Sequence, residues 1–445
     1  MSAAPAATST EVTRPLGARS RVVRTAIFST FPPRACGIGT FSFDMRAALL
    51  GVPGIEDVSS VVVIDEPSRS QPSDLLATVS QGVRGDYLRA ARLLGRLDID
   101  VVLLQHEYGI FGGADGEYVL SFAQELAQPL VVTLHTVLSQ PSPHQLLVLT
   151  ALCDEAALVI VLTDTARRLL VAVGACPAHK IRVVPHGAPT VLGRRREEHT
   201  AGRRPLYAAP ELGGYVRMQS RFLLSTFGLL SAGKGLETAI EALPLVVERH
   251  PDVLYVIAGW THPQVARREG EQYRLMLERL VVDLDLGDHV EFDDRFLSID
   301  ELADLLAATD VFVTPYRNRE QISSGALTFA IAAGCAAVST PYWYAEDMLA
   351  SGAGRIVPFG DPQALAEAVC ELAEQPDVLE TARAEARRIG SGLAWPSVAA
   401  ATATVLAEAA TVALRRTPCL PPALSRARIE HRLNRLVKSP RRVPA

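Results

Sequence analysis

Residues 310–334 read DVFVTPYRNREQISSGALTFAIAAG and contain, in order, an apolar run, a polar turn and a second apolar run. The first run, Asp310–Pro315, has the length and composition of a buried strand. The second run ends at Gly334 and predicts a short helix. A strand followed by a turn and a helix is the repeating element of an α/β fold with a parallel sheet.

The turn within this segment has the composition of an anion-binding site. Ser323 or Ser324 can cap the helix, and the free amide hydrogens of its first turn favour a negatively charged ligand. Glu320 lies just outside that turn. A carboxylate beside a phosphate cradle suggests a ligand with both hydroxyl and phosphate groups, such as a nucleotide sugar. The alternative is a capped helix after a surface turn, with no ligand.

The alternation of apolar runs and helical patterns extends along the whole chain. The first series of predicted strands is Val22–Ser29, Val58–Ile64, Ile99–Leu104, Leu130–Leu134, Leu158–Leu162 and Ile181–Val184. The second series is Arg221–Phe227, Val253–Ala258, Val290–Phe292, Val311–Thr314, Ala337–Ser339 and Ile356–Val357. This pattern predicts two tandem Rossmann-like domains, each a doubly wound parallel sheet, with a ligand cleft between them.

We predict a disordered N-terminus over residues 1–20 and a first domain over 21–190. A linker over 191–220 follows, in which the charged stretch Arg194–Glu198 is expected to be exposed. The second domain is expected over 221–395. An alanine-rich C-terminal helix over 396–415 precedes a basic tail, 416–445, which is expected to be disordered or to contact a membrane surface.

Composition excludes several classes of function. With 445 residues, of which 48% are apolar and 21% charged, the chain is long enough for two or three domains. The net charge of −5 gives no indication of nucleic-acid binding. Six scattered cysteines without CxxC spacing predict reduced thiols of a cytoplasmic protein. We expect neither a secretory signal nor a membrane span, because no uncharged apolar run reaches about 18 residues.

Further candidate residues lie at predicted strand ends. Gly37 and Gly39 follow the first strand, where two glycines let a phosphate approach the backbone. A dinucleotide site would have a third glycine at the position of Ser42, so we exclude that type of site. His106 with Glu107, and His135, follow two further strands and are suited to binding sugar hydroxyls.

Three motifs resemble a known family: PPRACGI at Pro32–Ile38, QISSG at Gln321–Gly325 and STPYWYAE at Ser339–Glu346. Together they are similar to a bacterial branch of the retaining glycosyltransferases of family 4, which have the GT-B fold. The resemblance extends from about Arg21 to about Leu414. It implies transfer of a hexose such as mannose or glucose from a GDP- or UDP-linked donor to a carbohydrate or glycolipid acceptor. Because no Asp-x-Asp stands out as a metal site for a diphosphate and the cysteines offer no zinc set, we expect that no metal and no other cofactor is needed.

The resemblance implies roles for individual residues. Those implied to be catalytic are Glu320, His135 and Lys234. Those implied to bind the donor are Gly37, Gly39, Lys234, Ser323, Ser324, Gly325 and Thr328. His106 and Glu107 are implied to bind the acceptor.

The chain departs from the family pattern at two positions. Leu229 stands where the family usually has an arginine, and Thr328 stands where it usually has a second glutamate. Lys234 is then the remaining cation of the segment Phe227–Gly235, unless Arg274, Arg317 or Arg319 takes the place of the missing arginine. These departures leave open a catalytically inactive binding protein. A sugar phosphorylase, a nucleotide-sugar epimerase and a hydrolase that uses Glu107 and Glu320 also remain open, and the segment Trp260–Pro263 has no assigned role.

Overall fold

The computed structural model describes residues 22–34, 36–65, 74–200 and 221–414. The side chains of residues 199, 200, 263, 264 and 412–414 are outside this description. The predictions for residues 1–20 and for the tail 416–445 therefore lie outside the described residues.

The first domain is built on a parallel sheet of seven strands in the order β3-β2-β1-β4-β5-β6-β7. Its strands are β1 (Val23–Ser29), β2 (Ile55–Ile64), β3 (Leu75–Ser80), β4 (Val101–His106), β5 (Leu130–Leu134), β6 (Leu158–Val161) and β7 (Ile181–Val183). The sequence did not predict β3. It also ended β4 at Leu104, whereas the strand includes His106.

The second domain has a parallel sheet of six strands in the order β10-β9-β8-β11-β12-β13. Its strands are β8 (Phe222–Phe227), β9 (Val253–Ala258), β10 (Val290–Asp293), β11 (Val311–Thr314), β12 (Ala336–Ser339) and β13 (Gly354–Ile356). The central strands of both sheets are buried on both faces, which explains their almost continuous apolar composition. The predicted fold class, two tandem doubly wound parallel-sheet domains, is confirmed.

Helices cover both faces of each sheet. In the first domain they are α1 (Gly37–Leu49), α2 (Arg84–Leu94), α3 (Val119–Glu125), α4 (Pro143–Glu155) and α5 (Asp164–Ala172). The later helices are α6 (Val191–Thr200), α7 (Leu236–Arg249), α8 (Pro263–Glu269), α9 (Gln272–Asp283), α10 (Ile299–Ala308), α11 (Gly325–Ala332), α12 (Trp343–Leu349), α13 (Pro362–Glu374), α14 (Pro376–Leu393) and α15 (Trp395–Leu414). The strand–turn–helix at residues 310–334 is therefore β11 followed by α11.

The chain passes between the domains twice, and the two passages pair with each other. The amide of Ala188 donates to the carbonyl of Leu393 at 2.7 Å, and the amide of Trp395 donates to the carbonyl of Ala188 at 2.9 Å. Gly187 packs so closely that a Cβ there would lie 2.2 Å from the Trp395 ring. After this crossing, α15 packs on α1 and on the first sheet.

The expectation of an exposed linker is wrong for its first part. Residues 191–200 form α6, which packs against α10. Arg196 is only 7% exposed, and its guanidinium donates to the carbonyls of Leu306, Thr309 and Ala333 at 2.6, 2.7 and 3.0 Å. The charged run misled the sequence prediction because a buried arginine can satisfy carbonyls that a helix end leaves free.

Replacement of this arginine tests its structural role. Arg196→Met should lower the free energy of unfolding by about 2 to 4 kcal/mol, because it leaves buried carbonyl groups without donors. Arg194→Met in the same helix should change it by less than about 0.5 kcal/mol, since the Arg194 side chain is 68% exposed. Urea unfolding measures both, and equal effects would show that Arg196 does not anchor α6.

Candidate functional site

The two domains meet where strands of both sheets end. The segment that follows β5, residues 135–139, contacts the segment that precedes α11, residues 320–323; we call this contact the junction. The Ser139 hydroxyl donates to Glu320 Oε1 at 2.5 Å, and the Ser139 amide approaches Oε2 at 3.2 Å. The Ser323 hydroxyl donates to the His135 carbonyl at 3.1 Å. The junction thus brings together three residues that the sequence singled out separately.

A second contact between the domains lies beside the junction. Thr165, at the start of α5, donates from its hydroxyl to Asp347 Oδ1 at 2.7 Å and from its amide to Oδ2 at 3.2 Å. Asp347 belongs to α12. A carboxylate at the beginning of a helix is favoured by the free amides and the dipole of that helix. These two contacts hold the carboxyl ends of the two sheets against each other.

The beginning of α11 has the geometry expected of a capped helix. Ser324 is the capping residue, and its hydroxyl accepts from the Leu327 amide at 3.3 Å. Gly325 is the first helical residue, and a Cβ there would lie 3.6 Å from Nε2 of His186. The first-turn amides of α11 are therefore adjacent to the first domain.

Lys234 is linked to this helix through one tyrosine. Its ammonium donates to the hydroxyl of Tyr316 at 2.9 Å and lies 4.0 Å from the centre of the same ring. Burial raises the pKa of Tyr316 to about 12, and the side chain of Ser324 lies close enough to lower it in part. Burial lowers the pKa of Lys234 to about 8, because the ammonium loses hydration. Among the described residues, no carboxylate forms an ion pair with Lys234.

Glycine at position 235 explains how Lys234 reaches this place. Gly235 has φ +61°, and a Cβ there would lie 2.1 Å from the Pro315 carbonyl oxygen. Only glycine combines this left-handed conformation with so close an approach. The turn that carries Lys234 therefore packs directly on the end of β11.

The arginines considered as substitutes for the missing family arginine already have partners. Arg317 pairs with Glu237, and Arg319 lies 3.5 Å from Glu346. Arg274 is buried and donates to the Gly259 carbonyl at 2.6 Å. Arg274 also pairs with Asp294, so each of the three already has a carboxylate partner, and none is a free cation in place of the missing family arginine.

A cavity of about 250 Å³ lies in the second domain, between the turn that precedes α7 and helix α8. Its lining residues are Ser231, His262, Val265, Arg268 and Glu269. Burial and the nearby charge of Lys234 lower the pKa of His262, in that order of importance. Part of the Trp260–Pro263 segment, which had no assigned role, therefore borders the Lys234 site.

Three histidines lie buried at strand ends of the first domain. Burial lowers the pKa of His106 to about 4, of His135 to about 3 and of His186 to about 4, so all three rings are neutral near pH 7. His135 Nε2 lies 2.9 Å from Oε1 of Gln105. The sequence analysis missed His186. It follows β7 as His135 follows β5, and this repeated position is the signal that could have found it.

Several candidate positions differ from expectation. His106 ends β4 with 0% exposure, and neither ring nitrogen has a hydrogen-bond partner in the described part of the chain. It therefore does not lie beyond the strand in an open cleft. Glu107 accepts from the Tyr108 amide at 2.9 Å and from the Thr136 hydroxyl, while burial raises its pKa. Thr136 comes from the next strand end, so Glu107 is fixed at the edge of the sheet.

Thr328, which the resemblance implies as a donor-binding residue, is enclosed in this structure. Its side chain is 0% exposed, and its hydroxyl is bonded to the Ser324 carbonyl at 2.7 Å and to the Tyr344 hydroxyl at 2.6 Å. Binding of a ribose would require these two hydrogen bonds to break, so the donor-binding role of Thr328 stays a prediction. The residue follows the periodicity of α11, whose buried face the sequence did not resolve.

The two glycines before α1 differ in their surroundings. Gly37 is the first residue of α1 and is exposed, and a Cβ there would meet no atom within 4 Å. Gly39 is buried, with a Cβ position 3.4 Å from the Phe31 backbone. A Cβ at Gly39 would make ordinary van der Waals contacts with that backbone, so packing alone does not require glycine there.

Comparison with protein families bears on both domains. Residues 60–191 match the model described as glycosyltransferase family 4, and residues 221–375 match the model described as glycosyl transferases group 1. Both matched stretches are glycosyltransferase domains. The second match covers all six strands of the second sheet, and the first covers β3 to β7 of the first sheet, so the site lies at the junction of two such domains.

Individual relatives are distant. Over 169 residues the chain is 30% identical to phosphatidyl-myo-inositol mannosyltransferase of Mycolicibacterium smegmatis. This match covers 37% of the chain and only 39% of the length of that relative.

No helix in the described ranges combines the length and apolar composition needed to cross a membrane.

Solved structures establish the fold of these glycosyltransferase domains. HepE of Anabaena, solved with UDP, aligns with a TM-score of 0.64 at 17% identity, covering 86% of this chain and 100% of that one. Sucrose-phosphate synthase of Thermosynechococcus elongatus aligns with a TM-score of 0.66 at 18% identity, covering 88% and 100%. The tandem Rossmann-like arrangement is thus the GT-B fold.

The buried histidines predict a loss of stability in acid. Their pKa values are lower in the folded than in the unfolded protein, so the unfolded state binds more protons between about pH 6.5 and 4. The contribution of these neutral histidines to the free energy of unfolding should be complete above about pH 6.5. Towards pH 4 the free energy of unfolding should decrease by roughly 1.4 kcal/mol per pH unit for each histidine. His186→Gln should reduce this slope by about one histidine's share, as measured by urea unfolding.

His144 provides the control. Hydrogen bonding to Asp115, and further bonding to Glu117, raise its pKa against the effect of desolvation, so it is protonated in both states over this pH range. His144→Gln should leave the acid slope unchanged. An identical slope in wild type and His186→Gln would contradict the account of the histidines.

Proposed function

We propose that this protein is a retaining glycosyltransferase that transfers a hexose from a nucleotide-diphosphate sugar to a carbohydrate or glycolipid acceptor. The observation that carries the proposal is the position of Lys234 on Tyr316, whose phenol lies close enough to Ser324 for that side chain to lower its pKa. In the described part of the chain, this places an ammonium without a carboxylate partner near the free amides of α11, and a pyrophosphate matches that arrangement of positive charge.

The donor is assigned to the second domain. HepE was solved with UDP and also with UDP-glucose, and the mycobacterial relative is named as a mannosyltransferase. These names support a nucleotide sugar as the donor, with glucose or mannose as the hexose and UDP as the nucleotide. The alternative of GDP is carried over from the family resemblance.

The residues of the site suggest how charge is handled during transfer. When the bond to the sugar breaks, negative charge develops on the diphosphate, and Lys234 with the first-turn amides of α11 would stabilise it without reorganisation. This positive charge is why we propose that neither a metal nor a cofactor beyond the donor is required. Glu320 would accept hydrogen bonds from sugar hydroxyls, and neutral His135 would line the same position.

The acceptor is assigned to the first domain. Glu107 is held at the end of β4 by Tyr108 and Thr136, and its carboxylate can accept from an acceptor hydroxyl. Retention of the anomeric configuration is carried over from the family resemblance. In that mechanism the acceptor attacks from the face the diphosphate leaves, and the departing phosphate takes the proton of the acceptor hydroxyl.

A panel of ligands tests the function. The melting temperature should rise with one nucleotide-diphosphate sugar and with its nucleoside diphosphate, since ligand binding stabilises the folded state. NMR of the product made from that donor and a panel of acceptors should show the anomeric configuration of the donor. Release of a sugar 1-phosphate that depends on inorganic phosphate, conversion of the sugar without an acceptor, or binding without transfer would each contradict the proposal.

Two substitutions test the residue assignments. Lys234→Ala and Glu320→Ala should each lower turnover by at least about tenfold, because each removes a charged contact to the donor. Glu374→Ala is the control, since Glu374 pairs with the exposed Arg249, at the opposite end of α7 from Lys234. Circular dichroism should show the same fold in all three. Wild-type turnover in Lys234→Ala and Glu320→Ala would refute both roles.

A further inference from the structure

We propose that Ser139 is a positioning residue, which orients the Glu320 carboxylate for transfer only when the two domains are closed on each other. This inference rests on the proposed function, because it concerns the same site. Ser139 belongs to the first domain and Glu320 to the second, so a single residue of one domain sets the orientation of a candidate catalytic group of the other.

Ser139 binds the carboxylate at both oxygens. Its hydroxyl donates to Oε1 at 2.5 Å and its amide lies 3.2 Å from Oε2. A carboxylate offers about four acceptor positions, so two remain for hydroxyl groups of a sugar. The two bonds from one residue fix the plane of the carboxylate, which a single bond would leave free to rotate.

The backbone around Glu320 is held by its own domain. The Trp343 amide donates to the Arg319 carbonyl, and the Tyr344 amide donates to the Gln321 carbonyl, both at 3.1 Å. The Glu320 amide donates to the side-chain oxygen of Asn318 at 3.0 Å. These contacts place the backbone whether or not the domains touch, whereas among the described residues only Ser139 donates hydrogen bonds to the Glu320 carboxylate.

The consequence is a dependence of the reaction on closure. In an open form the carboxylate would lose both Ser139 bonds, and a bound donor would lack an oriented Glu320. Hydrolysis of the donor by water would then be slow until the first domain closes on the second. This is the benefit expected when closure completes a site.

The second contact between the domains supplies a matched control. Thr165 binds Asp347 with the same pattern, a hydroxyl and an amide of one residue to two carboxylate oxygens. Neither Thr165 nor Asp347 is a candidate site residue. Thr165→Ala therefore removes an equivalent interdomain hydroxyl without touching Glu320.

The experiment compares Ser139→Ala, Ser139→Thr and Thr165→Ala in the full-length protein. With the donor identified by the ligand panel, Ser139→Ala should lower kcat by about tenfold and leave the Kd of the nucleoside diphosphate within about twofold. Ser139→Thr should restore most of the rate. Thr165→Ala should lower kcat by no more than about threefold. Equal losses in Ser139→Ala and Thr165→Ala would overturn the proposal, since both would then act through closure alone.

A double-mutant cycle adds a second criterion. In a Glu320→Ala background, Ser139→Ala should have no further effect on kcat, because the group that Ser139 positions is gone. Multiplying effects would overturn the proposal. If wild-type protein transfers no sugar, the proposed function fails, and the same cycle is run on thermal unfolding. Non-additive effects of the two substitutions on the melting temperature would show that Ser139 and Glu320 interact across the domains. Additive effects would show that they do not.

Discussion

The hydrogen bonds between residues 135–139 and 320–323 are the constraint on which the candidate site depends. Both segments follow strands of parallel sheets, and parallel strands all end at the same edge. Two such sheets that meet edge to edge bring their loops and helix beginnings into one place. The Ser139–Glu320 contact is therefore a product of topology. No motif within either domain would produce it alone.

The charge states of the ionisable groups around this junction follow from their burial. Lys234 loses hydration and is compensated by an aromatic ring and a hydroxyl of Tyr316 rather than by a carboxylate. The buried histidines respond by remaining neutral. The described residues of the junction thus combine one ammonium, free helix amides and neutral rings. Such a surface favours an anion with hydroxyl groups attached, which is the chemical character of a nucleotide-diphosphate sugar.

The fold was largely predictable from sequence, because strands and helices alternate with clear periodicity. The strands β5, β9 and β11 were predicted to the residue, since their apolar runs are local features. Residues 191–200 were misjudged because burial of Arg196 depends on carbonyls far along the chain. The enclosure of Thr328 has a related reason: the face of α11 that packs on Tyr344 is fixed by tertiary contacts. Ser139 could be found only from the junction itself, whereas the position of His186 after β7 could have indicated it.

The most direct measurement is a crystal structure of the protein with uridine or guanosine diphosphate bound. The account predicts that the terminal phosphate lies against Lys234 and the first amides of α11, on the side that faces the first domain. A diphosphate bound elsewhere, with the Lys234 ammonium still on Tyr316 and no phosphate near Gly325, would contradict it.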